Sequence, residues 1–250
     1  MSRLMKIHGH TLNAHYSKLF MSTYDEHYYN TNEQDHDRLA LGWYSKVLSR
    51  HVSSKSDVLD YGCGTGYFVR RLTKFFTVSG YDLSETARVK TKQLVPQAKL
   101  FDSVDLIPDS SFDAITSLHV LEHIADPGLT LTIFHRILKN GGICLIVVPA
   151  LNGRGHRKKG DDWFAFKDPT HCTFLTSSQW RQLCEDSGFE VLIEGSDGLW
   201  DSPYLSFLPR IVDRLIFGMP LIFNVLLSRI TLKANKGECA VLIVRKSAAQ

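Results

Sequence analysis

The chain is short of several things, and each shortage removes a class of protein. Its cysteines, Cys63, Cys144, Cys172, Cys184 and Cys239, are odd in number and scattered, with no Cys-x-x-Cys pair. That argues against a disulfide framework and a cysteine zinc site, and favours a reducing compartment. Excess charge is also scarce: 29 Lys and Arg stand against 26 Asp and Glu, a formal net charge of +3, too small a bias for a nucleic-acid binder. No uncharged apolar run approaches the roughly 18 to 20 residues that cross a bilayer. The most apolar stretch, 204–232, is interrupted by Pro209, Arg210, Asp213, Arg214, Gly218, Pro220 and Asn224. Residues 1–10 are polar and histidine-bearing where a secretion signal needs an apolar stretch, so a cytoplasmic location is expected. No repeat or low-complexity tract occurs. What is present is 250 residues, 44% hydrophobic and 22% charged, enough to bury one sizeable core.

The order of elements is regular. Residues 57–61 form a short apolar strand that runs into Gly62-Cys-Gly-Thr-Gly66 and then a helical pattern over 67–76. A second strand is expected at 78–82, a helix capped by Ser84 to about Leu94, and a third strand at 98–101. A fourth strand at 112–118 is followed by a helix over 127–139, stopped by Gly141 and Gly142, and a strand at 143–148. Beyond the loop 152–160 come an aromatic stretch, a helix at 177–187, a strand at 189–194 and a final strand at 238–245. The alternation defines an α/β protein whose continuously apolar strands suit a parallel sheet with helices on both faces. Residues 1–56 read as one or two helices forming a cap, 57–250 as the main domain, and 195–237 as an apolar helical insertion before the last strand.

The chemistry is concentrated in Asp60-Tyr-Gly-Cys-Gly-Thr-Gly66. Its glycines let the backbone turn tightly and approach a ligand, and the helix that follows offers unpaired N–H groups. Asp82, at the end of the second strand, is placed to accept both hydroxyls of a ribose across the carboxyl edge of the sheet. The Gly-x-Gly-x-Gly pattern, with an acidic residue two positions before it, differs from the Gly-x-Gly-x-x-Gly of nicotinamide enzymes and favours another cofactor.

With this motif the chain carries Gly80-Tyr-Asp-Leu-Ser84, Ser111-Phe-Asp-Ala-Ile115, Val120-Leu-Glu-His123 and Leu138-Lys-Asn-Gly-Gly142. Together, and in this order, they resemble the class I S-adenosylmethionine-dependent methyltransferases. The resemblance covers about 56–149 well and extends loosely, through Asp168-Pro-Thr-His171, Phe174 and Gly188-Phe189, to about Glu194. It implies a Rossmann-like seven-stranded sheet with its last strand antiparallel, and S-adenosyl-L-methionine as cofactor. By position it places Asp60, Gly62 and Gly64 at the methionine part of the cofactor, Gly66 in the same cofactor-binding turn, Asp82 on the ribose and Leu83 on the adenine. Asp102, or equally Ser103 or Asp105, would meet the adenine amino group, and Leu118 and His119 would line the junction with the acceptor. Tyr61 stands where the family often has a smaller residue.

A sulfonium methyl is already activated, so the protein has chiefly to align the acceptor and exclude water. A general base helps a hydroxyl acceptor, and His119, His123 and His171 are the candidates. His8 and His10 lack a third ligand at useful spacing, so no metal site is expected. Tyr24, His27, Tyr28 and Tyr29 could close over the cofactor. Arg154, His156, Arg157, Lys158 and Lys159 could attract an anionic acceptor, and Trp163, Phe164 and Phe166 could hold a ring or pack in the core. The stretch 204–232 suits a helix pair on a membrane surface, over a lipid-linked acceptor, or in a homodimer.

The expected activity is therefore methyl transfer to a small-molecule hydroxyl on an apolar, lipid-linked or glycan acceptor. The alternatives are a catalytically idle cofactor-binding subunit that acts through its insertion, and a nucleic-acid methyltransferase. Nucleic acid is disfavoured because Ser117-Leu-His-Val120 replaces the Asn- or Asp-Pro-Pro-aromatic motif of amino methylation, and no Pro-Cys pair exists for attack on cytosine.

Overall fold

A computed structural model describes residues 5–7, 10–12, 28–29 and 36–247. Two short strands, β1 (Met5–Ile7) and β2 (His10–Leu12), pair antiparallel apart from the main sheet, where only helices were expected. Helix α1 (Leu39–Leu48) follows. The main sheet contains β3 (Asp57–Tyr61), β4 (Thr77–Tyr81), β5 (Lys99–Phe101), β6 (Phe112–Leu118), β7 (Leu138–Pro149), β8 (Phe189–Ser196) and β9 (Cys239–Lys246). Their order is β5-β4-β3-β6-β7-β9-β8. All pairs are parallel except those of β9, which runs antiparallel to both β7 and β8. This is the seven-stranded Rossmann-like sheet that the sequence motifs imply.

The sheet is covered on both faces because its apolar strands alternate perfectly. In β9, Cys239, Val241 and Ile243 join one core cluster, while Ala240, Leu242 and Val244 join the other. One cluster takes in Trp43 and Leu48 of α1, with Phe68, Val69 and Leu72 of α2 (Tyr67–Leu72). The opposite cluster takes in Phe134 and Ile137 of α4 (Pro127–Ile137) and Trp180 of α7 (Ser177–Asp186). Helix α3 (Glu85–Leu94) is capped as expected, the Ala87 N–H donating to Ser84 Oγ, and α7 opens with a Thr176–Gln179 capping box.

Three segments depart from the sequence reading. Helix α4 ends at Ile137 and β7 begins at once, because Leu138 already pairs with Phe112 of β6; the two glycines then lie inside the strand, not at a helix stop. The loop at 152–160 contains a short helix, α5 (Arg154–Lys159), followed by α6 (Phe164–Lys167). The insertion holds one helix of 18 residues, α8 (Arg210–Leu227), and not a pair.

Helix α8 is seated by polar groups. Buried Asp213 accepts from Ser202 Oγ at 2.8 Å and from the N–H groups of Tyr204 and Leu205 at 3.0 Å. Buried Asn224 donates to the carbonyls of Ser196 and Asp197 and accepts from the N–H and hydroxyl of Thr231. Arg50 donates to the Ser228 and Leu227 carbonyls, closing the helix C-terminus from the α1 side. The opposite face is apolar and exposed: Ile211 is 71%, Phe223 53% and Leu226 72% accessible.

Candidate active site

Running outward from β3, the strand order reverses between β3 and β6, and a crevice opens there at the carboxyl ends of the strands. Its cavity is lined on one side by Gly62, Gly64, Asp82 and Leu83, and on the other by Leu118, His119, Val120, His123 and Ile124. Tyr28, Tyr29, Tyr61 and Tyr81 complete the lining. Tyr24 and His27 lie outside the described residues.

The glycine turn is built for close approach. Gly62 has φ +77, and a Cβ there would lie 2.4 Å from Val120 Cγ2; Gly66 has φ +86, and a Cβ there would meet Thr91 Cα at 2.8 Å. Only glycine satisfies both the left-handed backbone and the space. The Gly64 N–H donates to Asp82 Oδ2 at 2.8 Å and the Ser84 N–H to Oδ1 at 2.9 Å. These two bonds fix the carboxylate and leave further lone pairs on each oxygen for a ligand's hydroxyls. Burial pushes the Asp82 carboxyl up, against the pull of those N–H donors and of Arg88. Tyr29 packs beside it, hydrogen-bonded to Ser84, with its hydroxyl pushed up by burial and then by the Asp82 charge.

Asp60 lies beneath this surface and does not line the cavity. It is buried, accepts from Thr116 Oγ1 at 2.6 Å, and is pushed up to about 7 by burial, with the Asp82 charge adding to the shift and the Thr116 bond opposing it. Gly66 is the N-cap of α2 and is also outside the lining. Asp102 is exposed just past β5, away from the cavity wall. The Tyr61 and Tyr81 rings pack with centroids 4.6 Å apart and planes tilted by 43°.

On the opposite wall, His119 follows β6 with φ 56 and its N–H bonded to the Val147 carbonyl at 2.8 Å. Its Nδ1–H donates to Glu122 Oε1 at 3.2 Å, and its Nε2 lies 4.0 Å from Sγ of the buried Cys239. Glu122 is 1% exposed. Burial alone would raise its carboxyl, but the His119 bond and the charges of His119, His123 and His171 outweigh that and hold it below the ordinary carboxylate range. Burial holds His123 below the ordinary imidazole range, against the opposing pull of Glu122. His171 is outside the lining, its ring 4.5 Å from that of His123. The Glu122 carbonyl accepts the N–H groups of Cys172 and Thr173, which pins the loop carrying His171 to the segment after β6. Sequence reasoning missed Glu122 as a functional residue, although it stands in the quoted Leu-Glu-His motif, three positions from His119.

The aromatic stretch divides. Trp163 is fully buried and donates from Nε1 to Glu238 Oε2 at 2.7 Å, so it is core; Phe164 packs on Trp200 and faces His119, and Phe166 is partly exposed. The basic residues of α5 are largely engaged: Lys158 lies over the Phe217 ring, Lys159 over Tyr204 and 3.4 Å from Asp201, and Arg157 donates to the Asn152 carbonyl.

A seven-stranded sheet in this order, parallel but for β9, with a glycine turn and an acidic residue at its switch point, defines the Rossmann-like methyltransferase class. A profile described as a methyltransferase domain matches residues 24–194, and the chain belongs to that family. It is 28% identical over 145 residues to a probable S-adenosylmethionine-dependent methyltransferase of Mycolicibacterium smegmatis, covering 56% of this chain and 54% of the relative. It is 33% identical over 114 residues to the ubiquinone biosynthesis O-methyltransferase of Thiobacillus denitrificans, covering 42% and 47%. The chain thus spans about half the length of the curated relatives it matches. Among solved structures, the Burkholderia thailandensis 1,6-didemethyltoxoflavin-N1-methyltransferase, bound to 1,6-didemethyltoxoflavin and S-adenosylhomocysteine, superposes with a TM-score of 0.60 at 15% identity, covering 99% of this chain and 95% of that one.

Proposed function

We propose that this chain is an S-adenosylmethionine-dependent methyltransferase that acts on a hydroxyl of an apolar, lipid-linked or glycan small molecule. The observation that carries the reading is one cavity with a glycine turn and a fixed carboxylate on one wall and a carboxylate-oriented histidine on the other. The residues fit the cofactor: Gly62 and Gly64 line its cavity without side chains to obstruct it, Asp82 takes the ribose hydroxyls, Leu83 packs on the base, and Tyr29 lines the same cavity beside Asp82. Bound there, the cofactor supplies a methyl already activated by a positively charged sulfur. His119 accepts the hydroxyl proton, its ring held by Glu122 at Nδ1 and lying against the Cys239 thiol at Nε2, and Phe164 excludes water from the same side. Residues 1–56 serve as the cap that contributes Tyr28 and Tyr29, on a main domain of 57–250.

The outer face of α8 supports the apolar side of this reading. A contiguous apolar surface flanked by exposed Arg210, Arg214 and Arg229 matches a membrane surface with anionic headgroups. No helix among the described residues is long and apolar enough to cross a membrane, so the fit is to lying on one. Sedimentation with phosphatidylglycerol vesicles, lost in Ile216→Glu with Leu226→Glu at unchanged Tm, is expected. Self-association in ultracentrifugation without vesicle binding would assign the face to a second copy instead.

Activity is tested by incubating the protein with methyl-labelled S-adenosylmethionine and a panel of polyprenyl phenols, lipid-linked sugars and RNA. Label on a lipid hydroxyl, lost at least ~100-fold in His119→Ala, is the expected result. Label on RNA would replace the acceptor, and cofactor binding without turnover across the panel would favour an idle subunit.

A further inference from the structure

Glu122, which also holds the His119 ring, forms with His123 and His171 a grouping that cofactor binding does not require. One ligand atom from each lies within 4.8 Å of the others. His171 Nε2 is 4.0 Å from Glu122 Oε1 and 3.9 Å from Asp168 Oδ2.

The surrounding bonds orient these side chains. His171 Nδ1–H donates to the Ala165 carbonyl at 2.7 Å, so its Nε2 carries the lone pair. The Thr170 hydroxyl has a single proton, which it donates to Asp168 Oδ1 at 2.5 Å; it therefore accepts from His123 Nδ1–H at 2.9 Å, and the His123 lone pair is also on Nε2. A carboxylate reaching a histidine through a hydroxyl, and a carbonyl holding the other histidine, are the outer-shell bonds that prepare imidazoles as metal ligands. A second observation stands apart from this: Glu122 Oε2 is buried and has no hydrogen-bond partner among the described residues. An anionic oxygen left so costs free energy unless a cation or donor meets it.

We propose that Glu122, His123 and His171 bind a divalent transition-metal ion on the floor of the acceptor cavity. Two imidazoles and one carboxylate suit a first-row ion such as Zn2+, Mn2+ or Co2+ and leave coordination positions open. Because His123 lines the cavity, those positions are offered to an acceptor oxygen. Ligands ~2.1 Å from such an ion sit roughly 3.0–3.5 Å apart, so the three side chains close inward by about 1 Å on binding. Cysteine spacing gave no hint of this, since none of the ligands is a cysteine and His171 comes from a distant loop. Binding is independent of the methyltransferase reading, although its use on the acceptor rests on that reading.

The test is direct titration, without cofactor or acceptor. The whole chain, stripped with chelator, is titrated with Co2+ and followed by its visible absorption, then with Zn2+ in competition. One ion per chain is expected. Glu122→Gln and His171→Ala should each weaken binding by at least ~10-fold, the scale at which even outer-shell changes act, and His8→Ala with His10→Ala should leave it unchanged. Should His171→Ala fail to fold, Thr170→Val, which removes only the hydroxyl that holds His123, is expected to weaken the site by a similar factor. Absence of saturable binding to the folded wild type, or binding that survives both Glu122→Gln and Thr170→Val, would overturn the proposal.

Discussion

Two buried carboxyls, Asp60 and Glu238, are both pushed up to about 7, in each case first by burial. Their folded values exceed their unfolded ones, so the stability each contributes is complete below its ordinary value and is lost as pH rises through about 7. The Tm of the wild type should therefore fall between pH 5 and pH 8. In Asp60→Asn with Glu238→Gln that slope should flatten; an unchanged slope would place these protons elsewhere. Gly62→Ala combines a left-handed backbone with a contact on Val120, and should cost about 2 kcal/mol in urea unfolding. Adding Val120→Ala should recover only the steric part.

At the same scale, the legible residues were those whose chemistry is local. Gly62, Gly64 and Asp82 stand at fixed offsets within the quoted motifs, and they share one cavity wall, whereas Gly66 serves as the N-cap of α2. Asp102 and Asp60 show where spacing stops, because which way a side chain leaves a strand end depends on packing; one points to solvent and the other lies under the turn. The meeting of His171 with Glu122 depends on backbone bonds between distant segments, which no periodicity records.

Among the elements, α8 was the hardest to read, for a physical reason. Asp213 and Asn224 look like interruptions of an apolar stretch, yet they are its inner anchors, while the leucines and isoleucines other than Leu221 face outward. A helix whose buried stripe is partly polar inverts the usual pattern. Asn224→Leu should strand the Thr231 N–H and the carbonyls of Ser196 and Asp197, at about 2–3 kcal/mol. Increased amide exchange confined to α8, with the sheet still protected, is the expected signature; uniform exchange through the sheet would show that the helix is integral to the core. The strands of the main sheet, by contrast, were found within a few residues, except where Leu138 pairs with Phe112 and draws β7 back to the end of α4.

At the scale of the whole molecule, the alternation of strand and helix in the sequence carried the α/β class, the family resemblance carried the seven strands with an antiparallel last one, and the sheet order came from the structure. The order places the glycine turn after β3 beside the end of β6, and that adjacency makes one cavity of Asp82 and His119. The central claim is that this cavity takes S-adenosylmethionine. Calorimetric titration of the whole chain with S-adenosylmethionine and S-adenosylhomocysteine, with NADH as a competitor and Asp82→Ala as control, tests it most directly. Micromolar binding of both, untouched by NADH and weakened ~10- to 100-fold in Asp82→Ala, is the predicted result. No heat from either ligand with the protein folded, or displacement by NADH, would contradict it.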